Sequence, residues 1–367
     1  PNRQELGEAG QAPNRQELGE AGQAPNRQEL GEAGQAPNRQ ELRLMSYNVR
    51  YFAQPTKGLT TTERAMRGIV EALCALDPMP SVITLQEVES HSLRANLGRR
   101  HQKPQLERML DTLNHWLEMG GRKERFEGRY FPSHRYSVGR SPSLYTTGLA
   151  MLVSDEWQIE GSEGSMDVTH RRISMLRRLK QTRICAHLHL RHRHSGAELE
   201  LFNTHLSLPQ FLSWSSIKYP SRMGYAPNQL LEIFNVLDFI ASFPLSPNVI
   251  LTGDFNSLPG SPVYEQVLSS GLFIDALDSL HSFDTDAYRA SPSAGFMSLR
   301  MHLDYVFSSP NIEWLDFDHT HPHDRSHAFT GLSDHSPIIG RALLASSEER
   351  GARNEEPGAG ESLRSKP

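Results

Sequence analysis

Six polar motifs lie at the ends of strand-like apolar runs along the chain, and together they constrain what it can fold into. A single motif of this kind has an ordinary structural explanation, because Asn, Asp and Ser close turns and cap helices. Six of them at strand ends predict one shared cleft, because α/β folds tend to place their sites where strands end. The motifs are Met45-Ser46-Tyr47-Asn48, Leu85-Gln86-Glu87-Val88, Asn203-Thr204-His205-Leu206, Thr252-Gly253-Asp254-Phe255-Asn256-Ser257, His302-Leu303-Asp304-Tyr305 and Ser333-Asp334-His335-Ser336-Pro337.

The spacing of apolar residues predicts an alternation of strands and helices. The clearest helix lies at 62–76, where Ala65, Met66, Ile69, Val70 and Leu73 fall on one face. Helices interleaved with many strands indicate sheets covered by helices. We predict strands at 44–49, 82–86, 147–153, 183–190, 199–204, 248–252, 303–307, 312–317 and 337–344, and helices at 62–76, 104–118, 229–241 and 262–269.

The two ends of the chain differ from the body between them. The repeat PNRQELGEAGQA occurs unchanged at 1–12, 13–24 and 25–36, and a fourth copy starts at Pro37. A unit with one Leu, two Gly and one Pro cannot bury a core, alone or stacked. We therefore expect residues 1–42 to be disordered tandem repeats and 43–345 to form the catalytic domain. The polar, Gly-rich segment 346–367 is expected to be a disordered tail.

Charge and cysteine content narrow the functional classes. The net charge of the whole chain is -5, of which the repeats supply -3 (four Arg, seven Glu) and the tail -1 (four basic residues, five Glu), so the body is near neutral. Such a body has no global basic field that attracts nucleic acid. Cys74 and Cys185 match no metal or redox spacing, and we expect buried free thiols.

Membrane and secretion signals are not evident in the sequence. No apolar run reaches spanning length, and no charged-then-apolar signal opens the chain. We expect a soluble, monomeric and cytoplasmic protein. Secretion stays open, because the chain begins at Pro1 without a Met.

In their order and content, the six motifs resemble those of the endonuclease/exonuclease/phosphatase superfamily. That superfamily includes DNase I, abasic-site endonucleases, mRNA deadenylases, neutral sphingomyelinases and inositol polyphosphate 5-phosphatases. The resemblance runs from about Arg43 to Leu344. It implies a DNase I-like fold, a four-layer α/β sandwich in which two packed, mostly antiparallel sheets are flanked by helices. It also implies a site at one end, between the sheets.

The resemblance further implies a phosphoester hydrolase that depends on a divalent cation, Mg²⁺ or Mn²⁺. Glu87 would bind the metal, and a carboxylate is an oxygen ligand that suits these ions. Asn48 would lie beside the metal and the scissile phosphate, and Asp334 close to the metal. Asp254 would activate water, and Asn256 would hold a phosphate oxygen. On an extended turn, this spacing would point both side chains into one cleft.

Two histidines complete the site that the resemblance implies. His335 would be the catalytic histidine and Asp304 its orienting carboxylate, since a carboxylate behind an imidazole fixes its tautomer and favours its charged form. His205 would help to neutralise the phosphate. Water would attack phosphorus in line, with no covalent intermediate, while the metal and imidazolium stabilise the developing charge.

The substrate is less constrained than the reaction. A histidine at the strand end where His205 lies resembles DNase I, deadenylases and sphingomyelinases, which carry histidine at this position. Abasic-site endonucleases do not. We place a nuclease-like phosphodiesterase first and a phospholipid or small-molecule phosphoesterase, such as one acting on inositol phosphates, second. A non-catalytic binding module that keeps the fold is a third reading, which would require a broken site.

Three segments leave alternatives open. The stretch 168–197 holds eight Arg or Lys and no acidic residue, and it could follow a phosphate backbone or form a solvated strand edge. Aromatic residues in 207–227 could stack bases, enter a lipid surface or form a small core. A histidine group at 319–327 could bind zinc or shape the wall of the site. The residues concerned are Phe211, Trp214, Tyr219 and Tyr225 in the loop and His319, His321, His323 and His327 in the group.

A further run of histidines lies inside the basic stretch. In 186–193, Ala186, Leu188 and Leu190 alternate with polar residues, as in a half-buried strand. We expect the histidines of this run to lie on an exposed face of the strand. They are His187, His189, His192 and His194.

Overall fold

Two six-stranded sheets pack face to face, with helices on their outer faces. The computed structural model describes residues 39–50, 62–92, 104–136, 145–169, 182–209, 222–281, 291–296, 299–318 and 327–345. The helices are α1 (Thr62–Cys74), α2 (Gln105–Met119), α3 (Pro227–Ala241), α4 (Pro262–Ser269) and α5 (Ala276–His281). The strands are β1 (Gln40–Asn48), β2 (Val82–Ser92), β3 (Phe126–Tyr136), β4 (Tyr145–Ser154), β5 (Trp157–Asp167), β6 (Ile184–His192), β7 (Glu198–His205), β8 (Val249–Asp254), β9 (Ile274–Asp275), β10 (Ala294–Phe296), β11 (Leu299–Met301), β12 (Asp304–Ser308), β13 (Glu313–Asp318) and β14 (Ile338–Leu344).

Most neighbouring strands in the two sheets run antiparallel. The first sheet has the order β13-β14-β1-β2-β4-β3 and the second the order β5-β6-β7-β8-β12-β9, while β10 and β11 form a separate ribbon. The parallel pairs are β1 with β2 and β7 with β8. The carboxyl ends of each parallel pair lie at the same edge of its sheet. This arrangement brings the motifs of β1, β7 and β8 to strand ends that can share a cleft, and the motif around Glu87 lies within β2 beside the end of β1.

Three apolar clusters account for the four layers. The first lies between the sheets and combines residues of β1, β4 and β14 with residues of β6 and β7. The second packs α1 and α2 against the outer face of the first sheet. The third packs α3 and α4 against the outer face of the second sheet. The predicted four-layer α/β sandwich is therefore confirmed, and burial of each helix face follows from its apolar stripe.

Strand β1 begins earlier than the sequence indicated. Gln40, Glu41 and Leu42 lie in the strand, paired with residues of β14, although the sequence analysis assigned them to the repeat segment. The pairing is stabilised by Leu42, which is fully buried. The remaining repeats, residues 1–38, and the tail from 346 lie outside the described residues.

Two smaller expectations also have an outcome in the fold. Cys185 is a buried free thiol, whereas Cys74 is free but only partly buried, since it lies at the last residue of α1. Among the described residues, no helix has the length and apolar character needed to cross a membrane.

Candidate active site

The sheet registers bring the polar motifs together at one end of the sandwich. In the second sheet, His205 at the end of β7 and Asp304 at the start of β12 both pair with Asp254 at the end of β8. In the first sheet, Asn48 at the end of β1 is next to β2. Asn48 Nδ2 donates a hydrogen bond of 3.0 Å to Asp254 Oδ2, and both side chains are buried. This bond joins the sheets at the floor of the site.

Glu87 reaches the site because strand β2 is irregular there. The pairing of β2 with β4 shifts between Leu85 and Val88, and Glu87 has a φ of +59°. A bulge of this kind bends the strand and redirects a side chain, and bulges are common beside active sites. Glu87 Oε1 lies 3.8 Å from His205 Nε2. Burial raises the pKa of Glu87 and Asp334 adds to the rise, against the opposing effects of His335 and Arg183.

Asn256 shares the cleft with Asp254, but the predicted extended turn is wrong. Asn256 has a φ of +47°, in the left-handed region that Asn tolerates better than most residues. Its backbone N–H donates to Asp254 Oδ1 at 2.9 Å, so the carboxylate closes a local turn. The Asn256 side chain donates to the carbonyl of Leu206 at 3.0 Å and lies 3.4 Å from His205 Nε2. This turn brings the side chains of Asp254 and Asn256 into the same cleft.

His335 is held by Asp304, as the resemblance implied. His335 Nδ1 donates to Asp304 Oδ2 at 2.8 Å, and His335 Nε2 lies 3.8 Å from Asp254 Oδ2. Burial alone lowers the pKa of His335, but Asp304, Asp254 and Asp334 outweigh it, so the pKa is raised well above its ordinary value. The imidazolium is therefore the stable form of His335 across neutral pH.

Ser293 supports this pair and was not among the residues selected from the sequence. Its hydroxyl donates to Asp304 Oδ2 at 2.7 Å and accepts the backbone N–H groups of Leu303 and Asp304 at 2.9 and 3.0 Å. The bridge between Ala294 and His335 places Ser293 beside the last motif. A lone Ser outside the polar motifs carries no sequence signal for this contact.

Asp254 lies between groups that shift its pKa in opposite directions. Burial raises the pKa of Asp254, and the charge of Asp304 raises it further. The charge of His335 and the Asn256 N–H bond oppose the shift, but the pKa remains raised. A buried carboxylate with a raised pKa is a stronger base than an exposed one. The arrangement can accept a proton at Asp254 and keep one at His335.

His205 differs from His335 in its surroundings. It is buried, and burial, Arg183 and His335 hold its pKa well below the ordinary value. Arg183 Nη1 lies 3.0 Å from His205 Nδ1, and His205 Nε2 lies 3.5 Å from Asp254 Oδ2. Arg183 belongs to the basic stretch noted in the sequence, but nothing in the sequence distinguished it from its basic neighbours.

Asp334 is placed at the rim of the site with a partner of its own. Arg50 Nη1 lies 2.7 Å from Asp334 Oδ2, and the Arg50 N–H donates to Asn48 Oδ1 at 3.0 Å. Arg50 also has a positive φ, of +42°. This ion pair uses Oδ2, which leaves Asp334 Oδ1 with a hydrogen bond of 3.4 Å from the Ser333 hydroxyl.

The donor atoms present fit a hard divalent cation. Glu87 offers a largely buried carboxylate, and Asn48 Oδ1 retains a lone pair beside its bond from Arg50. A cation would offset the burial that raises the pKa of Glu87. The described residues also include one group of three, Asp254, Asp304 and His335, whose possible ligand atoms all lie within 4.8 Å of one another.

The three segments for which the sequence left alternative interpretations are described only in part. Residues 170–181, 210–221 and 319–326 lie outside the described residues, and with them Phe211, Trp214, Tyr219, His319, His321 and His323. Tyr225 is exposed. His327 Nε2 lies 3.3 Å from Asp318 Oδ2, and its ring stacks on Phe329. In the basic stretch, Arg191 is exposed and lies 3.6 Å from Glu160.

The histidines of β6 do not form an exposed face, so that expectation was wrong. His187 is buried, its ring lies 4.0 Å from that of Phe243, and its Nε2 lies 2.6 Å from Glu200 Oε2. His189 Nδ1 binds the other Glu200 oxygen at 2.8 Å. Helix α3 and the residues after it cover this face of the sheet, which strand alternation alone does not reveal. His194 is exposed, as expected.

Comparison with known proteins agrees with this geometry. The model of the Endonuclease/Exonuclease/phosphatase family matches residues 45–335. The chain matches none of the curated protein sequences.

Solved structures resemble the chain over most of its length. The human Nocturnin catalytic domain, solved with a bound sulfate anion, is 20% identical, with a TM-score of 0.53 over 83% of this chain and 95% of that one. An endonuclease/exonuclease/phosphatase from Beutenbergia cavernae is 16% identical, with a TM-score of 0.55 over 84% and 72%. ANGEL2, a 2′,3′-cyclic phosphatase, is 16% identical, with a TM-score of 0.53 over 84% and 96%. At these identities, the likeness concerns the fold.

Proposed function

The chain belongs to the endonuclease/exonuclease/phosphatase family, whose members are phosphoester hydrolases, and on that premise we propose that it is a nuclease-like phosphodiesterase dependent on Mg²⁺ or Mn²⁺. The observation that carries the proposal is the position of Asp254. Its Oδ2 atom lies 3.0 Å from Asn48 Nδ2, 3.5 Å from His205 Nε2 and 3.8 Å from His335 Nε2. Three polar groups thus surround one buried carboxylate oxygen.

Asp254 is the residue that we assign to activating water. Its carboxylate is oriented by the Asn48 amide and by the Asn256 N–H, so the oxygen that receives the proton is fixed before substrate binds. The raised pKa of Asp254 makes it a better proton acceptor near neutral pH than an exposed Asp. The Asn256 amide would hold a phosphate oxygen.

His335 is assigned to stabilising charge on the phosphate and the leaving group. Asp304 accepts from its Nδ1, which leaves the Nε2–H directed towards Asp254 and the site. Because its pKa is raised, the ring retains its second proton at the pH where Asp254 has lost its own. A cationic donor fixed in a buried site stabilises developing negative charge strongly.

The metal is assigned to the side of the site that Glu87 and Asn48 form. A bound divalent cation supplies charge stabilisation to a phosphoryl oxygen and orients the reacting groups. Glu87 would bind it directly and Asn48 would contribute its amide oxygen. Asp334 would support this side through its ion pair with Arg50, in which Arg50 Nη1 lies 2.7 Å from Asp334 Oδ2.

A nucleotide phosphodiester is the substrate class that we favour. Arg183 and Arg50 place guanidinium groups on two sides of the site, although the body as a whole is near neutral. ANGEL2, a 2′,3′-cyclic phosphatase of similar fold, has been solved in complex with adenosine-2′,3′-vanadate. A phospholipid or an inositol phosphate is the alternative substrate, and the exposed side chains of Leu208, three residues after β7, and of Tyr225 are compatible with it.

A substrate panel tests the proposal. Purified protein would be assayed with Mg²⁺ or Mn²⁺ on single- and double-stranded DNA, RNA, RNA ending in a 2′,3′-cyclic phosphate, sphingomyelin, an inositol phosphate and a nitrophenyl phosphodiester. We expect cleavage of at least one nucleic acid by the wild type, loss of that cleavage with EDTA, and loss of about 10²–10⁴-fold in rate in Asp254→Asn. Cleavage of sphingomyelin or the inositol phosphate alone would favour the alternative. No cleavage by a folded, metal-binding protein would favour a non-catalytic binding module.

A further inference from the structure

One residue of the basic stretch reaches the site and contacts a site histidine. Arg183, next to the start of β6, has its Nη1 atom 3.0 Å from His205 Nδ1. A guanidinium has N–H donors and no acceptor. The Nδ1 atom of His205 must therefore be the acceptor, and the proton of the neutral ring must lie on Nε2.

Arg183 is itself fixed in place by its neighbours. Its Nε donates to Ser207 Oγ at 3.4 Å, and that hydroxyl donates to Glu232 Oε1 at 2.7 Å. The Ser207 N–H donates to Glu232 Oε2 at 2.8 Å. At the main chain, the Arg183 N–H donates to Thr169 Oγ1 at 2.7 Å. Arg183 is only 9% exposed, so its guanidinium is positioned before any substrate arrives.

The other side of the His205 ring faces the groups of the reaction. Its Nε2 lies 3.5 Å from Asp254 Oδ2 and 3.8 Å from Glu87 Oε1, both acceptors, while the nearby Asn256 amide, 3.4 Å away, donates to the Leu206 carbonyl instead. Glu87, Arg183 and His205 also line one cleft, together with Thr147 and Thr182. A donor N–H at Nε2 is thus directed into the space where we place the phosphate.

We propose that Arg183 is a positioning residue that holds His205 in its Nε2–H tautomer, so that His205 donates a neutral hydrogen bond to a phosphate oxygen. The inference rests on the proposed function. It changes the role of His205, because the positive charge on this side of the site belongs to the guanidinium of Arg183.

The two histidines then have different tasks set by their partners. Asp304 accepts from His335 Nδ1 and favours the imidazolium, whereas Arg183 donates to His205 Nδ1 and excludes it. A partner that accepts a hydrogen bond from Nδ1 favours the doubly protonated ring, whereas a partner that donates to Nδ1 favours the neutral ring. A site that needs one charged donor and one neutral donor can obtain both from histidine by this means.

The test combines a spectroscopic readout with kinetics. Protein labelled with ¹⁵N in histidine would be compared as wild type, Arg183→Met and Arg183→Lys, with the His205 signals identified by their loss in His205→Asn. Arg191→Met is the matched control, since Arg191 lies in the adjoining strand β6 but is exposed and pairs with Glu160. The rate of metal-dependent hydrolysis and its pH profile would be measured on the same proteins.

We expect a wild-type signal with the proton on Nε2 and an unprotonated Nδ1 at neutral pH. Arg183→Met should give a mixture of tautomers or a doubly protonated ring, with kcat lower by roughly 10²-fold, and Arg183→Lys should restore part of both. Arg191→Met should match the wild type. A proton on His205 Nδ1 in the wild type would overturn the inference, and so would an unchanged tautomer in both Arg183 variants.

The His205 tautomer is measured without substrate, so failure of this inference can be distinguished from failure of the proposed function. If no phosphoester is cleaved but His205 shows the Nε2–H form that depends on Arg183, the positioning stands and the proposed reaction is wrong. If hydrolysis occurs and depends on Asp254 while the His205 tautomer is independent of Arg183, the inference is wrong and the function stands. Should Arg183→Met not fold, the wild-type tautomer and Arg183→Lys still decide.

Discussion

At the scale of single residues, Asp304 influences both of the groups that we assign to proton chemistry. Its charge raises the pKa of His335, with which it shares a hydrogen bond of 2.8 Å, and it also raises the pKa of Asp254. Activity that needs ionised Asp254 and protonated His335 should have a bell-shaped pH profile. Its acid limb belongs to Asp254 and its alkaline limb to His335.

Replacement of Asp304 by Asn should move this whole profile to lower pH. Removing the negative charge lowers the pKa of Asp254, so activity appears at lower pH, and it lowers the pKa of His335, so activity is lost at lower pH. An opposite or like charge at this distance shifts a pKa by about 1–3 units. The measurement is kcat/KM against pH for wild type and Asp304→Asn.

Asp316→Asn is the matched control for this substitution, because Asp316 pairs with Arg341 on the surface. Its profile should coincide with that of the wild type. Limbs that stay fixed in Asp304→Asn, or that move in opposite directions, would refute the electrostatic assignment.

Backbone strain also concentrates at the site. Among the described residues other than Gly, those with positive φ are Arg50, Glu87 and Asn256, and each follows or belongs to one of the polar motifs. A residue held in a sparsely populated region costs on the order of 1–3 kcal/mol. Strain of this kind persists where surrounding contacts hold the backbone in place. Here the bulge of β2 holds Glu87 and the turn after β8 holds Asn256.

At the scale of elements, close contact of β7 and β8 places His205 beside Asp254. Gly253 makes this contact possible, because a Cβ atom there would lie 2.1 Å from the Thr204 carbonyl oxygen. The strands pair in parallel, with His205 opposite Asp254. A side chain at 253 would push apart the two strand ends that carry site residues.

Gly253→Ala should therefore be strongly destabilising. The clash is with backbone, which cannot rotate away, and we expect a loss of about 3 kcal/mol or more in the free energy of unfolding. Gly164→Ala is the control, because a Cβ atom on Gly164 of β5 would meet nothing within 4 Å. It should change stability by less than about 0.5 kcal/mol. Urea denaturation followed by circular dichroism measures both, and similar midpoints for the two variants would show that the close contact is unimportant.

The sequence predicted the central elements well but missed two long edge strands. The predicted strands and helices near 44–49, 147–153, 199–204 and 262–269 are present, because buried elements carry unbroken apolar runs. Strands β3 and β5 were not predicted. Both lie at the edges of their sheets and contain Gly, and β3 also contains Pro. Edge strands tolerate such residues, so their sequences resemble loops.

The sequence predicted which residues form the candidate site better than it predicted the contacts among them. Because each motif was predicted at a strand end, we expected Asn48, Glu87, His205, Asp254, Asp304 and His335 in one cleft. They lie together there, although β2 continues past Glu87 to Ser92. The turn at Asn256, the Arg50 partner of Asp334 and the supporting Ser293 and Arg183 were not predicted. These features depend on backbone conformation or on contacts between distant segments, which local spacing does not encode.

At the scale of the whole molecule, side-chain hydrogen bonds join the two sheets beneath the site. Gln86 Nε2 donates to Asn203 Oδ1 at 2.8 Å, and Thr252 Oγ1 donates to Thr84 Oγ1 at 2.9 Å. All four side chains are buried. A polar layer whose members are bonded to each other fixes the register of the sheets, and with it the position of Glu87 and Asn48 relative to Asp254.

Two N-terminal truncations should have different effects on this sandwich. Removal of residues 1–38 should leave the melting temperature and activity unchanged, since we propose that the repeats contribute nothing to the core. Removal of residues 1–42 takes three residues of β1, including buried Leu42, which pairs with Ala342. Loss of Leu42 burial alone should cost about 1.5–3 kcal/mol. Thermal unfolding compares the two proteins, and a large loss on removal of 1–38 would contradict our view of the repeats.

The central claim is that the Glu87 side and the His335 side form one metal-dependent hydrolytic site. The most direct test is kcat/KM for the best phosphodiester of the panel, measured at saturating Mn²⁺ for wild type, Glu87→Ala, His335→Ala and the double variant, each shown to be folded. We predict that each single variant loses about 10²–10⁴-fold and that the double variant loses little more than the worse single variant, because residues that act as a unit are not additive. A wild-type rate in either single variant would contradict the claim.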